Sequence, residues 1–284
     1  MRIYIPATLA NFGPGVQSIG FPLNVGVTIE VGEETEQWRV QHPFADRLTH
    51  DETNYVVQIA MNLAPNIKPH ALTITSTLPT TKGLGWQDAL ILGGIELGNQ
   101  LGQLALDDFT KLTLAARTAK QPAHVAAALL GQPAVSYLQA GDVYASGFVC
   151  PTYAGMLYIP DEIEAISFGN PETIDYDQGV AAAAGGNMLM AAWQNQQVEL
   201  AGQLLENDRL QQMFTKDNHA LQAIRQAAHA LDIYGTVLVE QGPIIATLLP
   251  QAQVQDFKDV LAYVELPGHF EEIEMTDTGL SVGE

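Results

Sequence analysis

The sequence predicts an α+β protein built as two lobes. Three observations carry this. Strand-like and helix-like segments are mixed without the strict β-α-β succession that a wholly parallel sheet requires. Several strand pairs are separated only by short turns, which makes them antiparallel neighbours. A strand-like run restarts at Ala154 after a series of helices and a strand pair, and this divides the chain into residues 1–153 and 154–284. A length of 284 residues suits one large domain or two moderate ones.

The elements follow in order. Arg2–Ile5 alternates as a strand, and 6–15 reads as a loop because Pro, Gly, Asn and Thr crowd it. Residues 23–31 and 38–41 are the next strands. Residues 54–63 have helical spacing, with Asn54 placed as N-cap. The alternating run 71–78 is a strand, and an Ala/Leu/Ile/Gly-rich helix covers 88–101. Acidic residues at 107–108 suit the positive end of a helix reaching Thr118, and a short Ala-rich helix spans 122–130. Strands at 134–138 and 143–149 close the first lobe. The second has strands at 154–160, 236–240 and 244–249, with helices at 177–195, 197–206, 218–231 and 254–262. A terminal hairpin is predicted from 270–275 and 280–282 across Asp277-Thr278-Gly279.

Twelve Lys and Arg against 32 Asp and Glu give a formal charge of −20. Such a chain repels nucleic-acid phosphates and anionic membrane surfaces, so neither is expected as a partner. Cys150 is the only cysteine, which excludes an intrachain disulfide. The start of the chain has no signal-like apolar run, and the uncharged stretch 178–198 is broken by Gly, Asn and Gln, so a cytoplasmic protein is expected. No histidine pair has zinc-motif spacing, and no metal ligand set is assigned.

The segment with the most chemical content is Gly83-Leu84-Gly85-Trp86-Gln87-Asp88. It sits between a strand and a helix, the arrangement that aims backbone N–H groups and a helix N-terminus at an anion. A Mg-nucleotide site would next need small hydroxyls, and the chain instead offers an indole, an amide and a carboxylate. The two glycines are therefore read as a tight turn that the fold needs. Asp88 is read as capping its helix, and its negative charge stands where a phosphate would go.

Four segments in order resemble the GHMP small-molecule kinase superfamily, specifically its homoserine kinase branch. PATLANFGPGVQSIG at 6–20 resembles the family's first motif. LPTTKGLGWQDA at 78–89 resembles its phosphate loop, P-x-x-x-G-L-G-S-S-A. AKQPAHVAAALLGQ at 119–132 resembles E-G-H-P-D-N-V-A-P-A-L-L-G-G, and GTVLVEQGPIIATLL at 235–249 resembles its third motif. The resemblance spans almost the whole chain. It implies a two-lobed GHMP-kinase-like fold, with a ribosomal protein S5 domain 2-like N-terminal lobe and a ferredoxin-like C-terminal lobe. It also implies a homodimer and ATP- and Mg²⁺-dependent phosphoryl transfer to the hydroxyl of homoserine or a similar small molecule.

The departures from these motifs fall on the chemistry. The phosphate-loop serines are Trp86 and Gln87. The carboxylate before Gly-His-Pro is Ala119, and His, Asp and Asn of the same motif are Gln121, Ala123 and His124. Phe-Asp of the first motif is Val16-Gln17, Ser-Gly of the third is Val239-Glu240, and the late H-x-P-Y-R-like segment is 211–215 without its His or Arg. The resemblance assigns Lys82, Gly83, Leu84, Gly85, Trp86, Gln87 and Asn54 to a nucleotide, and Asn11 and Gln17 to a substrate. The family's acid position is Ala123. His124 is the one candidate base, although no acidic neighbour in sequence orients it and a structural role is favoured. Lys82 is the remaining cation by the loop, able to meet a phosphate or Asp88. Asn11 either contacts a ligand or satisfies its own loop backbone.

Phosphoryl transfer depends on electrostatic stabilisation by metal and cationic groups. Without them the chain is expected to have lost, or to have much reduced, phosphotransfer, leaving a ligand-binding or scaffolding relative. ATP and Mg²⁺ are cofactors only if transfer persists. A third reading, altered chemistry in the same cleft through His124, Asp88 and Glu240, has no reaction specified by the sequence.

Overall fold

The structure is a computed structural model and describes residues 1–78, 83–162, 173, 175–207, 218–239 and 242–283. It divides into two compact units: Met1–Leu9, Gln17–Gly147 and Thr276–Glu284 form the first, and Ala10–Val16 with Phe148–Met275 the second.

The first unit carries a seven-stranded sheet. Its strands are β1 (Arg2–Ala10), β2 (Ile19–Glu34), β3 (Arg39–Gln41), β4 (His70–Ser76), β5 (Ala134–Gln139), β6 (Asp142–Gly147) and β11 (Ser281–Gly283), the central order being β11-β1-β2-β4-β3. The long β2 serves two partners in succession, β5 at Ile19–Gly20 and β4 from Val27 to Glu34. Alternation sets the buried face: Leu72 and Ile74 of β4 and Val27 and Ile29 of β2 join one core. Helices α1 (Tyr55–Leu63), α2 (Trp86–Gly102), α3 (Asp108–Ala119) and α4 (Ala123–Leu130) complete it. Every residue of α2 from Asp88 to Asn99 is buried, which marks a central helix wrapped on all sides.

In the second unit, β7 (Ala154–Pro160), β8 (Thr236–Leu238), β9 (Ile245–Leu249) and β10 (Gly268–Glu274) form an antiparallel sheet in the order β10-β7-β9-β8. With α5 (Tyr176–Gln194), α6 (Val198–Glu206), α7 (His219–His229) and α8 (Val254–Leu261), this is the ferredoxin-like β-α-β-β-α-β succession expected from the resemblance. Amphipathic α7 and α8 place Leu221, Ile224, Val254 and Phe257 in the core with Met156 and Ile245. Among the described residues no helix is long and apolar enough to cross a membrane. Burial pushes the Cys150 thiol up to about 12, so it stays protonated and unreactive.

Two sequence expectations are corrected. The predicted loop at 6–15 is strand as far as Ala10. Pro6 is tolerated because β11 pairs β1 only over Arg2–Tyr4; beyond that, the side to which Pro6 and Thr8 point their amide positions carries no strand, and Thr8 N donates to Leu84 O instead. The terminal hairpin does not form. β10 pairs with β7 in the second unit's sheet, whereas β11 pairs with β1 in the first.

Candidate functional site

Within the first unit, the β4–α2 turn, the start of α4 and the end of β1 converge on one point. Gly85 is the N-cap of α2 with φ of +65°, a left-handed conformation that favours glycine, and no side chain caps the helix there. A Cβ at this position would lie 2.8 Å from His124 Nδ1 and closer still to Thr8 Oγ1. Glycine is therefore required twice over, by backbone angle and by space. Beneath it, Thr8 Oγ1 and His124 Nδ1 share a hydrogen bond of 2.7 Å, with both side chains essentially sealed from solvent. The start of α4 can seat this deeply because β2 offers Gly20, where a Cβ would meet Ala123 O at 2.5 Å.

His124, the candidate base, is thus a buried strut that holds α4 to β1 under the phosphate-loop turn. Thr8 was not singled out from the sequence. The available signal was its place in the first motif; what was missing was the knowledge that β1 continues through Pro6 and brings Thr8 under the turn. Thr8→Val is expected to destabilise the protein by about 1–3 kcal/mol by taking this partner from a buried imidazole, read as a lowered urea midpoint.

Trp86 opens α2 and meets Phe44 edge-on, with ring centroids 5.5 Å apart at 65°. Its Nε1 is buried and has no acceptor among the described residues. Gln87 is exposed and hydrogen-bonds the phenol of Tyr55, the first residue of α1. Asp88 is buried in the first turn of α2, at the positive end of the helix. Burial and then the charge of Asp88 push the Tyr55 phenol above its usual range, against the bond from Gln87. Tyr55 is a second neighbour that sequence reading passed over.

Asn54 is fully buried and committed to its cap: its carbonyl accepts from Val56 N at 3.0 Å and its Nδ2 donates to Thr49 O at 2.6 Å. Any influence on a nucleotide therefore acts through the position of α1. Ala123, at the family's acid position, is wholly buried in the first turn of α4. Asn11 is buried with φ of +59° in the second unit, and Gln17 is exposed with φ of +58° in the first. Lys82, Glu240 and 211–215 lie outside the described residues.

At the family's metal and phosphate-loop positions the described side chains supply Mg²⁺ with no ligand, and the carboxylate present at this turn is that of Asp88, buried in the first turn of α2. Trp86, Gln87, Ala119 and Ala123 offer no carboxylate or hydroxyl, the Thr8 hydroxyl is held by His124, and no group of three or more His, Cys, Asp or Glu able to hold a metal is found among the described residues.

A glycine turn between a strand and a helix on a mixed α+β scaffold is the arrangement that the resemblance to GHMP kinases implies. No protein-family model matches the chain. It is 34% identical over 284 residues to a homoserine kinase of Streptococcus equi subsp. equi, covering 99% of each chain. It is 35% identical over 286 residues to a homoserine kinase of Limosilactobacillus fermentum, covering 99% of this chain and 100% of the relative. A solved structure from Listeria monocytogenes described as a homoserine kinase superposes with a TM-score of 0.90 at 31% identity, covering 100% of this chain and 99% of that one. The chain belongs to the homoserine kinase family of GHMP kinases.

Proposed function

We propose that this chain keeps the homoserine kinase fold but has lost, or has much reduced, ATP-dependent phosphoryl transfer, and acts as a small-molecule-binding or scaffolding relative. The observation that carries this reading is the state of the phosphate-loop turn. Its positive helix end is already met by buried Asp88, its serine positions are an indole packed on Phe44 and an amide bonded to Tyr55, and His124 is tied to Thr8 beneath it. Removing a single transition-state stabiliser typically costs ~3 kcal/mol, on the order of a hundredfold in rate. Here metal ligand, acid and loop hydroxyls are replaced together. Such losses need not add, but two already leave little turnover.

The second reading is an active kinase, favoured by full-length identity to proteins named homoserine kinases. In that case ATP and Mg²⁺ are the cofactors and the hydroxyl of homoserine is the acceptor. Incubating the purified protein with ATP, Mg²⁺ and homoserine separates the two. The proposal expects no O-phosphohomoserine above the protein-free control by mass spectrometry, and ATP-dependent, protein-dependent accumulation would return the chain to the active kinases. We also take it to work as a cytoplasmic homodimer, which light scattering of the purified protein tests for the oligomer.

A further inference from the structure

Helix α5 is apolar on every side. Residues 178–198 carry no charge, with Asp177 and Glu199 bracketing them, in a chain that is 15% charged. A helix apolar all round is normally wrapped on all sides, as α2 is in the first unit. α5 is covered on one side only. Leu189, Ala192 and Trp193 are buried, and a Cβ at Gly185 or Gly186 would lie 3.4 Å from an atom of Pro14. The opposite side stands in solvent. Tyr176 is 82% exposed, Val180 50% and Met188 49%, and Ala183, Ala184 and Asn187 between them are exposed as well.

A neighbouring helix of the same unit shows what a solvent face looks like in this chain. α8 buries Val254, Phe257 and Leu261 and turns Gln255, Asp256, Lys258 and Asp259 outward. α5 turns outward a tyrosine, a valine, a methionine and two alanines. These residues recur three and four apart, so they share one side of the helix. Their pattern is also symmetric about the midpoint between Ala183 and Ala184. Val180 precedes that point by as much as Asn187 follows it, with Met188 one position further.

We propose that a second copy of this chain covers this face, the two α5 helices packing antiparallel about a two-fold axis that passes by Ala183 and Ala184. A two-fold contact needs a self-complementary surface, and this one supplies it. The alanines at the crossing let the two backbones approach, and Val180 of each copy then meets Asn187 and Met188 of the partner subunit. Tyr176 lies at the rim, where its ring is covered and its hydroxyl stays wet. Charge selects the same occupant. Two chains of formal charge −20 repel one another, and they meet most favourably where neither places a charge. A charged partner would find no counter-charge on α5 and would bury its own charge unpaired. This placement rests on the homodimer named above and adds where its two copies meet.

Sedimentation velocity of the full chain, paired with crosslinking, tests it. The parent is expected to sediment as a dimer. Val180→Glu and Met188→Glu, both at positions that a monomer leaves half exposed, should each halve the sedimenting mass with an unchanged far-UV circular dichroism spectrum. Tyr137→Glu, at an exposed position of β5, should leave the dimer intact. Ala184→Cys, oxidised with copper phenanthroline, should give a disulfide-linked dimer, because its two copies meet at the axis. Tyr176→Cys should not, since its two copies stand about 22 Å apart along antiparallel helices, far beyond disulfide reach. The crosslinking result holds even if a glutamate variant fails to fold. A monomeric parent overturns both the homodimer and this interface. A dimer that both glutamate variants leave intact, or that Tyr176→Cys links and Ala184→Cys does not, keeps the homodimer and overturns the interface.

Discussion

Replacing Lys111 with methionine is expected to lower the stability of the protein by about 3–5 kcal/mol, the loss found when one partner of a buried ion pair is removed. Glu96 sits in the middle of α2 with 1% of its side chain exposed, and Lys111 of α3 reaches its Oε2 at 2.8 Å while itself only 12% exposed. Asn99 Nδ2 and Gln100 Nε2 complete the carboxylate's shell at 3.1 and 2.6 Å, and Asn99 Oδ1 accepts from Leu106 N, so the same network fixes the turn between α2 and α3. Burial alone would push the Glu96 carboxyl up. The hydrogen bonds from Gln100, Lys111 and Asn99 and the charge of Lys111 outweigh it and hold the folded value below the usual range. A lowered folded pKa means stabilisation that is fully present above the unfolded value, about 4.3, and is lost as pH falls through the folded one. The gap between the parent and Lys111→Met should therefore be wide at pH 7 and should narrow as pH falls below the ordinary carboxylate range, measured by urea unfolding across an acid series. The double variant Glu96→Gln, Lys111→Met should be less destabilised than Lys111→Met alone, because no charge is left stranded. A loss that stays constant down to the most acid pH at which the parent still folds would show that the pair contributes packing and not charge.

Gly85→Ala should be the most damaging single methyl addition at the candidate site. The left-handed backbone costs a non-glycine residue about 1–3 kcal/mol. The added Cβ also intrudes on the Thr8–His124 hydrogen bond, and separating that buried pair adds about 1–3 kcal/mol. Combining the change with Thr8→Ala removes the hydroxyl that the methyl strikes. The two changes should then be less than additive in a double-mutant cycle. Strict additivity would mean that Gly85 matters for its φ alone.

Much of the scaffold was legible because its signals are local. Asn54 before an apolar helical run is the N-cap it was taken to be, and Asp107 caps α3 by accepting from Thr110 N. Gly85 marks the turn that its neighbours require. What was illegible depends on partners distant in sequence. Asp277-Thr278-Gly279 has the composition of a hairpin turn, and only the pairing of β11 with β1 and β10 with β7, each more than a hundred residues away, shows that it joins two sheets. Pro6 reads as a strand breaker until one knows which side of β1 lacks a neighbour. At the candidate site, the replaced motif residues were visible one by one, but their new engagements were not: His124 with Thr8, Trp86 with Phe44 and Gln87 with Tyr55 span up to 116 positions.

The central claim is that the phosphate-loop turn has been rebuilt as a closed structural joint. Calorimetric titration of the unmodified chain with ATP, with and without Mg²⁺, tests it most directly. The expected result is no saturable one-to-one heat in either titration and no thermal stabilisation at millimolar Mg-ATP. A true site at a hundredfold excess over Kd would contribute ~2.7 kcal/mol, a shift too large to miss. Saturable, Mg²⁺-dependent binding of one ATP per chain, accompanied by such a shift, would contradict it.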